Sequence, residues 1–190
     1  MMDSTSGVFE KMKQYIALLR GINISGKNKL PMADLKTGLE GLLYKDVKTY
    51  LNSGNVIFSS AEDDTIQLMS QIETMIKKQF GLDIPVLVIK REALEDILCH
   101  APGWWGNDNK EIYDNLIFIL PPATFAEIYN VIGEPKKDLE RIEHYKDVIF
   151  WSFSRKDYQK TNWWPRTAGA AAAPKLTIRT ANTIRKIAGM

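Results

Sequence analysis

Along the first half of the chain, short apolar runs alternate with segments whose apolar residues recur at helical spacing. Residues 14–21, "QYIALLRG", form an apolar run that ends in glycine and is typical of a buried strand. Residues 47–60 predict two strands joined by a tight turn at Ser53-Gly54, since glycine accepts a positive φ angle. Pro31 predicts the start of the helix between these segments, because proline fits the first helical position. One face of this helix carries Met32, Leu35, Leu39 and Leu42.

A second helix and a further strand complete the first half of the pattern. Ser59 and Glu62 form a capping-box pattern, and Gly81 predicts the end of the helix that follows them. The next strand is predicted at 84–90, "IPVLVIK". The order β-α-β-β-α-β is that of the ferredoxin-like plait, also called the split βαβ motif. The apolar face of the second helix consists of Ile66, Met69, Ile72, Ile76 and Phe80.

The second half repeats this order of elements after a linking helix and loop. Strands are predicted at 115–120, as a hairpin at 139–153 and at 175–179, with one helix ending at Gly133 and another at the C-terminus. We therefore predict an α+β fold of two tandem ferredoxin-like (βαββαβ) plaits. The predicted domains are a loose N-terminal extension (1–11), a first plait (12–90), a linking helix and loop (91–113) and a second plait with a C-terminal helix (114–190).

The composition is that of an ordinary globular protein, with an uneven distribution of charge. The chain has 190 residues, of which 45% are hydrophobic and 25% charged, and its formal net charge of +2 excludes a general polycation. Between Val148 and Met190, however, eight lysines and arginines accompany one acidic residue. Such a basic segment suits an anionic partner, and a solvated basic face explains the same composition.

Cysteine usage and hydropathy indicate the compartment. Cys99 is the only cysteine, so no internal disulfide forms, and its place in an apolar helical pattern predicts a buried, inert thiol. No apolar run is long enough to span a membrane, and acidic residues stand where a signal peptide has its apolar core. We expect a cytoplasmic protein without a membrane partner. The sequence leaves the oligomeric state open.

The segment 20–31 nearly reproduces a phosphate-binding loop. Gly21, four residues, Gly26 and Lys27 follow the P-loop pattern, but Asn28 replaces the hydroxyl that binds magnesium. Pro31 also sets the helix start too late for its dipole to point at a phosphate. We therefore reject an NTPase and keep two interpretations, a glycine-rich connection with solvated lysines or a site for an oxyanion without magnesium. The candidates for that anion site are Arg20, Asn23, Ser25, Lys27 and Lys29.

Two features bear on nucleic-acid binding. In the third predicted strand, Ser53 and Asn55 occupy the positions where RNA-binding plaits carry stacking aromatic residues, which argues against that mode. The segment 154–166 interleaves one tyrosine and two tryptophans with four basic residues. This mixture is typical of single-stranded nucleic-acid sites and of protein interfaces, but we favour the simpler interpretation that one tryptophan packs between the plaits.

Catalytic and metal-binding patterns are weak. His100 and His144 are the only histidines, and neither lies in a zinc or calcium spacing or in a Ser-His-Asp arrangement. We predict no cofactor and no metal site. Enzyme status stays open, and the sequence leans against it.

Three motifs resemble a bacterial family of uncharacterised proteins, catalogued as domain of unknown function 1697. They are "YIALLRGINISGKNKLPMADLK", "TYLNSGNVIFSS" and "LTIRTANTIRKI". The resemblance implies paired ferredoxin-like plaits and brings no activity, cofactor or catalytic residue. The run Ala170–Ala173 departs from the family pattern, and we assign it no role. The matching signature positions are Arg20, Gly21, Asn23, Gly26, Lys27, Ser53, Gly54, Asn55, Arg179, Asn182 and Thr183.

Taken together, these patterns predict a binding module for an anionic ligand, namely a nucleotide, a phosphorylated metabolite or single-stranded nucleic acid. The alternatives are an enzyme of unknown chemistry with a site between the two plaits, and a protein-protein interaction module. The predicted ligand-binding residues are Arg20, Asn23, Ser25, Lys27, Lys29, Arg166 and Arg179. The predicted cleft or interface residues are Ser53, Asn55, Trp104, Trp105, Trp163 and Trp164.

Overall fold

A computed structural model describes residues 11–24 and 26–190 of the chain. The predicted extension 1–11, apart from its last residue, and the candidate Ser25 lie outside these residues. The chain divides into two compact units between Arg91 and Glu92. Within the described residues, the fold is α+β with two four-stranded antiparallel sheets and six α-helices.

The first unit has one sheet and two helices, in the order predicted from the sequence. The strands lie in the order β2-β3-β1-β4, and every neighbouring pair is antiparallel. The elements are β1 (Lys13–Leu19), α1 (Met32–Gly41), β2 (Lys45–Tyr50), β3 (Asn55–Ser60), α2 (Thr65–Phe80) and β4 (Val86–Lys90).

The core of the first unit lies between the sheet and its two helices. The central strand β1 is fully buried from Tyr15 to Leu19, and alternate residues of it point toward the helices. Because each fully buried aliphatic side chain stabilises by about 1.5–3 kcal/mol, this face anchors both helices. The helix residues that join this core include Leu35, Leu39, Leu68, Ile72 and Ile76.

The ends of α2 differ in how well the sequence predicts them. The side chain of Asp64 caps the N-terminus by accepting hydrogen bonds from the backbone N–H groups of Ile66 and Gln67. The capping box predicted at Ser59 and Glu62 is therefore wrong, since Ser59 is buried within β3. Gly81 ends the helix with a φ of 69°, as predicted.

An exposed ion-pair cluster joins three parts of the first unit. The Asp63 carboxylate lies 2.8 Å from the Lys13 ammonium and 2.6 Å from that of Lys90. These hydrogen bonds from Lys13 and then Lys90 lower the pKa of Asp63 to about 2.

The second unit also has a four-stranded antiparallel sheet, with the strand order β6-β7-β5-β8. The short helix at 163–167 was not predicted from the sequence. The elements are α3 (Arg91–Cys99), β5 (Ile112–Ile119), α4 (Phe125–Ile132), β6 (Glu140–Tyr145), β7 (Val148–Ser154), α5 (Trp163–Thr167), β8 (Leu176–Thr180) and α6 (Ala181–Ala188).

A buried carboxylate organises the core of the second unit. Glu140 is only 5% exposed, and its carboxylate accepts hydrogen bonds from the indole of Trp151 and the backbone N–H groups of Lys136, Asn162 and Trp163. The last two of these N–H groups lie at the start of α5, so Glu140 acts as the cap of that helix from a distant strand. This contact fixes α5 against the sheet.

Two further observations concern the surface. The Cys99 thiol is exposed, so the prediction of a buried cysteine is wrong. Cys99 ends α3, two residues after Ile97, which forms the buried face of the helix with Leu94. No helix in the described part of the chain is both long and apolar enough to cross a membrane.

Candidate functional site

The loop between β1 and α1 is held by the side chains of two asparagines. Asn23 donates hydrogen bonds to the carbonyl oxygens of Leu30 and Asn52, and its own side-chain oxygen accepts from the Leu30 N–H, each at 2.9 Å. Asn28 donates to the carbonyl of Gly21 at 2.9 Å. The predicted ligand residue Asn23 therefore fastens the loop to itself and to the turn between β2 and β3.

This geometry differs from a phosphate-binding loop. The N–H group of Lys27, which a phosphate would need, is hydrogen-bonded to the carbonyl of Ile24 within the loop. Helix α1 begins at Met32, so its N-terminus lies well after the Gly-Lys pair. The loop is thus held by its own hydrogen bonds, and its lysines are exposed to solvent.

The basic side chains of this loop differ in their surroundings. Lys27 and Lys29 are exposed, and neither forms an ion pair with a carboxylate of the described residues. Arg20 is half-buried, and its backbone N–H donates to the carbonyl of Pro85. An anion at this loop would therefore meet two solvated ammonium groups.

The turn between β2 and β3 has a structural role. Asn55 is fully buried and donates hydrogen bonds to the Tyr50 carbonyl at 2.9 Å and the Ser53 hydroxyl at 3.0 Å. Gly54 has a φ of 78°, and a Cβ atom there would lie 2.6 Å from the Cβ of Leu19. These contacts account for Asn55 and Gly54 without a ligand.

The four predicted tryptophans fall into three environments. Trp105 and Trp163 are buried, and their indole N–H groups donate to backbone carbonyls of the second unit. Trp164 is 42% exposed, and its ring packs against neighbouring aromatic rings. Trp104 is half-buried, and within the described residues its indole makes neither a ring contact nor a hydrogen bond. The Trp104 ring therefore has neither an aromatic neighbour nor a hydrogen-bond partner among the described residues.

The two predicted arginines of the second unit are engaged internally. Arg166 donates a hydrogen bond to the backbone carbonyl of Ile132. Arg179 is 8% exposed and donates to the Thr177 hydroxyl and the Ile178 carbonyl, each at 2.9 Å. Burial lowers the pKa of Arg179 to about 10. Both side chains thus contribute to the internal structure of the unit.

A cleft lies under the loop that precedes β5, and we call it the β5 cleft. It consists of two adjoining pockets of about 410 and 530 Å³ that share Asn107 and Ile112 in their walls. The Asn107 side chain donates to the carbonyl oxygens of Gly103 and Trp104, which holds the loop in a tight turn. Trp104 lines the smaller pocket.

A buried polar pair lies where the two pockets meet. Asp114 of β5 and Ser152 of β7 are partners in the strand register, and the Ser152 hydroxyl donates a hydrogen bond to the Asp114 carboxylate. Their exposed fractions are 9% and 6%. Asp114 lines the larger pocket and Ser152 the smaller one.

Two cations line the larger pocket. Arg155 is held over the ring of Tyr113, with its guanidinium carbon 3.9 Å from the ring centroid. Its Nε also donates to the carbonyl of Ile112. Lys110 is exposed, and neither it nor Arg155 has a carboxylate partner among the described residues. The larger pocket therefore combines these two cations with the buried carboxylate of Asp114 and the exposed carboxylate of Asp108, neither of which pairs with them.

The residues of the β5 cleft were largely missed by sequence reasoning. Of the residues that line it, Asn182 is a family signature position, and only Trp104 is among the predicted site residues. The sequence feature that could have indicated them is a polar residue within an apolar strand, which occurs at Asp114 and again at Ser152. Their proximity depends on the register between β5 and β7, which a single sequence does not reveal.

The side chains of the described residues form no group of three or more histidines, cysteines, aspartates and glutamates that could hold a metal ion.

Comparisons with known proteins place the chain among proteins without an assigned activity. The model of the family described as "Protein of unknown function (DUF1697)" matches residues 12–150. A solved structure of a conserved bacterial protein from Streptococcus pneumoniae is similar to this chain, with a TM-score of 0.82 and 30% sequence identity. The similarity covers 94% of this chain and 98% of that one. No curated protein matches the sequence.

Proposed function

The chain belongs to this family of proteins of unknown function, DUF1697, and we propose that it is a binding module for a small anionic ligand held in the β5 cleft. The observation that carries this proposal is the pair Lys110 and Arg155, two cations without a carboxylate partner in the described residues, which line one pocket. That pocket has a volume of about 530 Å³. Small-molecule sites commonly occupy about 300–1,000 Å³.

The architecture of the sheet supports the location. We propose that each unit is a ferredoxin-like plait, the first spanning 12–90 and the second 114–190, with 91–113 as the link. The strand orders β2-β3-β1-β4 and β6-β7-β5-β8 support this, because each places the first and third strands of its unit in the centre. The link then supplies Trp104, Asn107 and Lys110 to the walls of the β5 cleft.

Arg155 is suited to hold an anion because its guanidinium is already positioned. Stacking on Tyr113 and the hydrogen bond to Ile112 restrict the side chain, while its terminal N–H groups bond to no described residue. An arginine held in this way loses little conformational entropy when it binds an oxyanion. Lys110 adds a second charge with freely rotating donors.

The loop between β1 and α1 is the alternative location for the anion. It carries Lys27 and Lys29 on a backbone fixed by Asn23, which supports the sequence-based choice of these residues. The β5 cleft is the stronger proposal, because it adds a concave wall and a restrained arginine to its cations. Both locations retain a small anion as the ligand.

Calorimetric titration with inorganic phosphate and AMP tests the proposal. The double variant Lys110→Ala/Arg155→Gln is expected to weaken binding about tenfold or more, since a charge-assisted hydrogen bond contributes about 1.5–3 kcal/mol. The matched control Lys27→Ala/Lys29→Ala removes two positive charges from the other unit and is expected to leave binding unchanged. Circular dichroism establishes that both variants are folded.

The opposite pattern contradicts the proposed location. If the Lys27/Lys29 variant loses binding and the Lys110/Arg155 variant does not, the anion lies at the first loop. If no anion binds to the unaltered protein, the proposed function is wrong.

A further inference from the structure

We infer that the ligand of the β5 cleft is a nucleoside monophosphate, with its base against Trp104, its ribose at Asp114 and Ser152 and its phosphate at Lys110 and Arg155. This inference rests on the proposed anion site and goes beyond it, because it assigns the remaining walls of the cleft. It follows from the order in which three different chemistries line the two pockets.

Asp114 requires a hydrogen-bond donor beside the anion. One oxygen of this carboxylate accepts from Ser152, and no donor among the described residues reaches the other. All fully buried side-chain oxygens and nitrogens of the described residues have partners, so this second oxygen is accessible to solvent, and Asp114 lines the larger pocket. An ionised carboxylate only accepts hydrogen bonds and repels a phosphate directly beside it. A ligand that fits both the cations and Asp114 therefore carries a hydrogen-bond donor as well as its anionic group, and the hydroxyls of a ribose supply such donors.

Trp104 offers a flat surface in the smaller pocket. Trp105, Trp163 and Trp164 all have hydrogen-bonded indoles or aromatic neighbours, whereas Trp104 has neither among the described residues. An exposed indole face binds a planar ring, and stacking of a base on an aromatic side chain contributes about 1–3 kcal/mol. This pocket, of about 410 Å³, has room for a nucleobase.

The positions of the three groups match the connectivity of a nucleotide. Ser152 lines the smaller pocket and Asp114 the larger one, and their hydrogen bond places both where the pockets meet. From the smaller pocket to the larger, the cleft thus presents the Trp104 ring, the Asp114–Ser152 pair and the two cations. The other charged residues of its walls are Asp138, Glu140 and Arg141 in the smaller pocket and Asp108 in the larger one. A nucleoside monophosphate carries base, ribose and phosphate in the same order.

Calorimetry with inorganic phosphate, ribose 5-phosphate and AMP separates the three contributions. We expect each addition to the ligand to tighten binding, by about tenfold for the ribose hydroxyls and about fivefold or more for the base. Asp114→Asn should weaken the binding of ribose 5-phosphate and AMP about tenfold without weakening that of inorganic phosphate, because the substitution removes a negative charge from the pocket. Trp104→Ala should remove only the advantage of AMP over ribose 5-phosphate.

Trp164→Ala is the matched control, because it removes an exposed tryptophan of the same unit that does not line the cleft. It is expected to bind all three ligands as the unaltered protein does. If inorganic phosphate binds as tightly as AMP, or if Trp104→Ala and Trp164→Ala behave alike, the nucleotide inference is wrong while the anion site stands. If none of the three ligands binds, the proposed function itself fails.

Discussion

Removal of the Glu140 carboxylate should destabilise the second unit severely. The carboxylate accepts from the Trp151 indole at 3.1 Å, from the Asn162 N–H at 2.6 Å and from the Lys136 N–H at 3.0 Å. The Trp163 N–H lies 3.3 Å from each of its oxygens. In Glu140→Ala these four donors lose their acceptor at a site that is only 5% exposed.

The magnitude follows from these four contacts. A buried donor without an acceptor costs about 1–3 kcal/mol, and water entering the space left by the carboxylate satisfies part of the loss. We expect Glu140→Ala to lower the free energy of unfolding by about 3–5 kcal/mol, the upper part of the range for single substitutions. Glu140→Gln keeps one acceptor oxygen but turns an amide group toward the donors, so it should cost about 2 kcal/mol.

Urea unfolding followed by tryptophan fluorescence measures this loss, since Trp151 and Trp163 are buried beside the substituted residue. Glu143→Ala is the control, because Glu143 is an exposed residue of the same strand without a side-chain hydrogen bond in the described part of the chain. It should change stability by less than about 0.5 kcal/mol. Equal stability of the Glu140→Ala and Glu143→Ala proteins would refute the assignment of Glu140 as the cap of α5.

Three further predictions concern the first unit. Gly54→Ala should lower the free energy of unfolding in urea by about 2–5 kcal/mol, because Gly54 has a positive φ and a Cβ there would contact Leu19. Gly81→Ala should lower it by only about 1–2 kcal/mol, because Gly81 has a similar φ but open space around it. Equal losses would contradict the packing argument. Because the pKa of Asp63 is lowered to about 2, its stabilising contribution is present above pH 4 and lost as the pH falls toward 2. A carboxyl NMR titration with a midpoint near 4 would contradict this. Asn23→Ala removes three hydrogen bonds and should lower the free energy of unfolding by about 2 kcal/mol. Amide hydrogen exchange in the β1–α1 loop should become faster. Unchanged exchange would show that Asn23 does not hold the loop.

The sequence predicts elements well where the signal is local. Apolar runs gave the strands, and glycines with a positive φ marked the ends of helices, as at Gly81 and Gly133. The wrong capping box at Ser59 shows the limit of local patterns. Several nearby side-chain oxygens could cap the N-terminus of α2, and the structure has Asp64 in that position. Helix α5 was missed because its cap, Glu140, lies more than twenty residues earlier in the chain.

The candidate site was harder to predict than the elements. Trp104 is a predicted cleft residue because it belongs to an aromatic pair. Lys27 and Lys29 are predicted anion contacts because their loop resembles the P-loop pattern. Asp114 and Ser152 meet only through the pairing of β5 with β7. Arg179, a predicted anion contact, is buried and bonded to its own strand. A site whose residues meet through strand pairing is therefore harder to predict from one sequence than a site whose residues lie in one loop.

The most direct test of the nucleotide site is an NMR titration of the ¹⁵N-labelled protein with AMP. The account predicts a saturable shift of the Trp104 indole N–H signal, while the Trp105 indole, which is hydrogen-bonded to Asn115, shifts less. The backbone signals of Lys27 and Lys29 should stay unchanged. A saturable response at Lys27 and Lys29 without one at Trp104 would contradict the account.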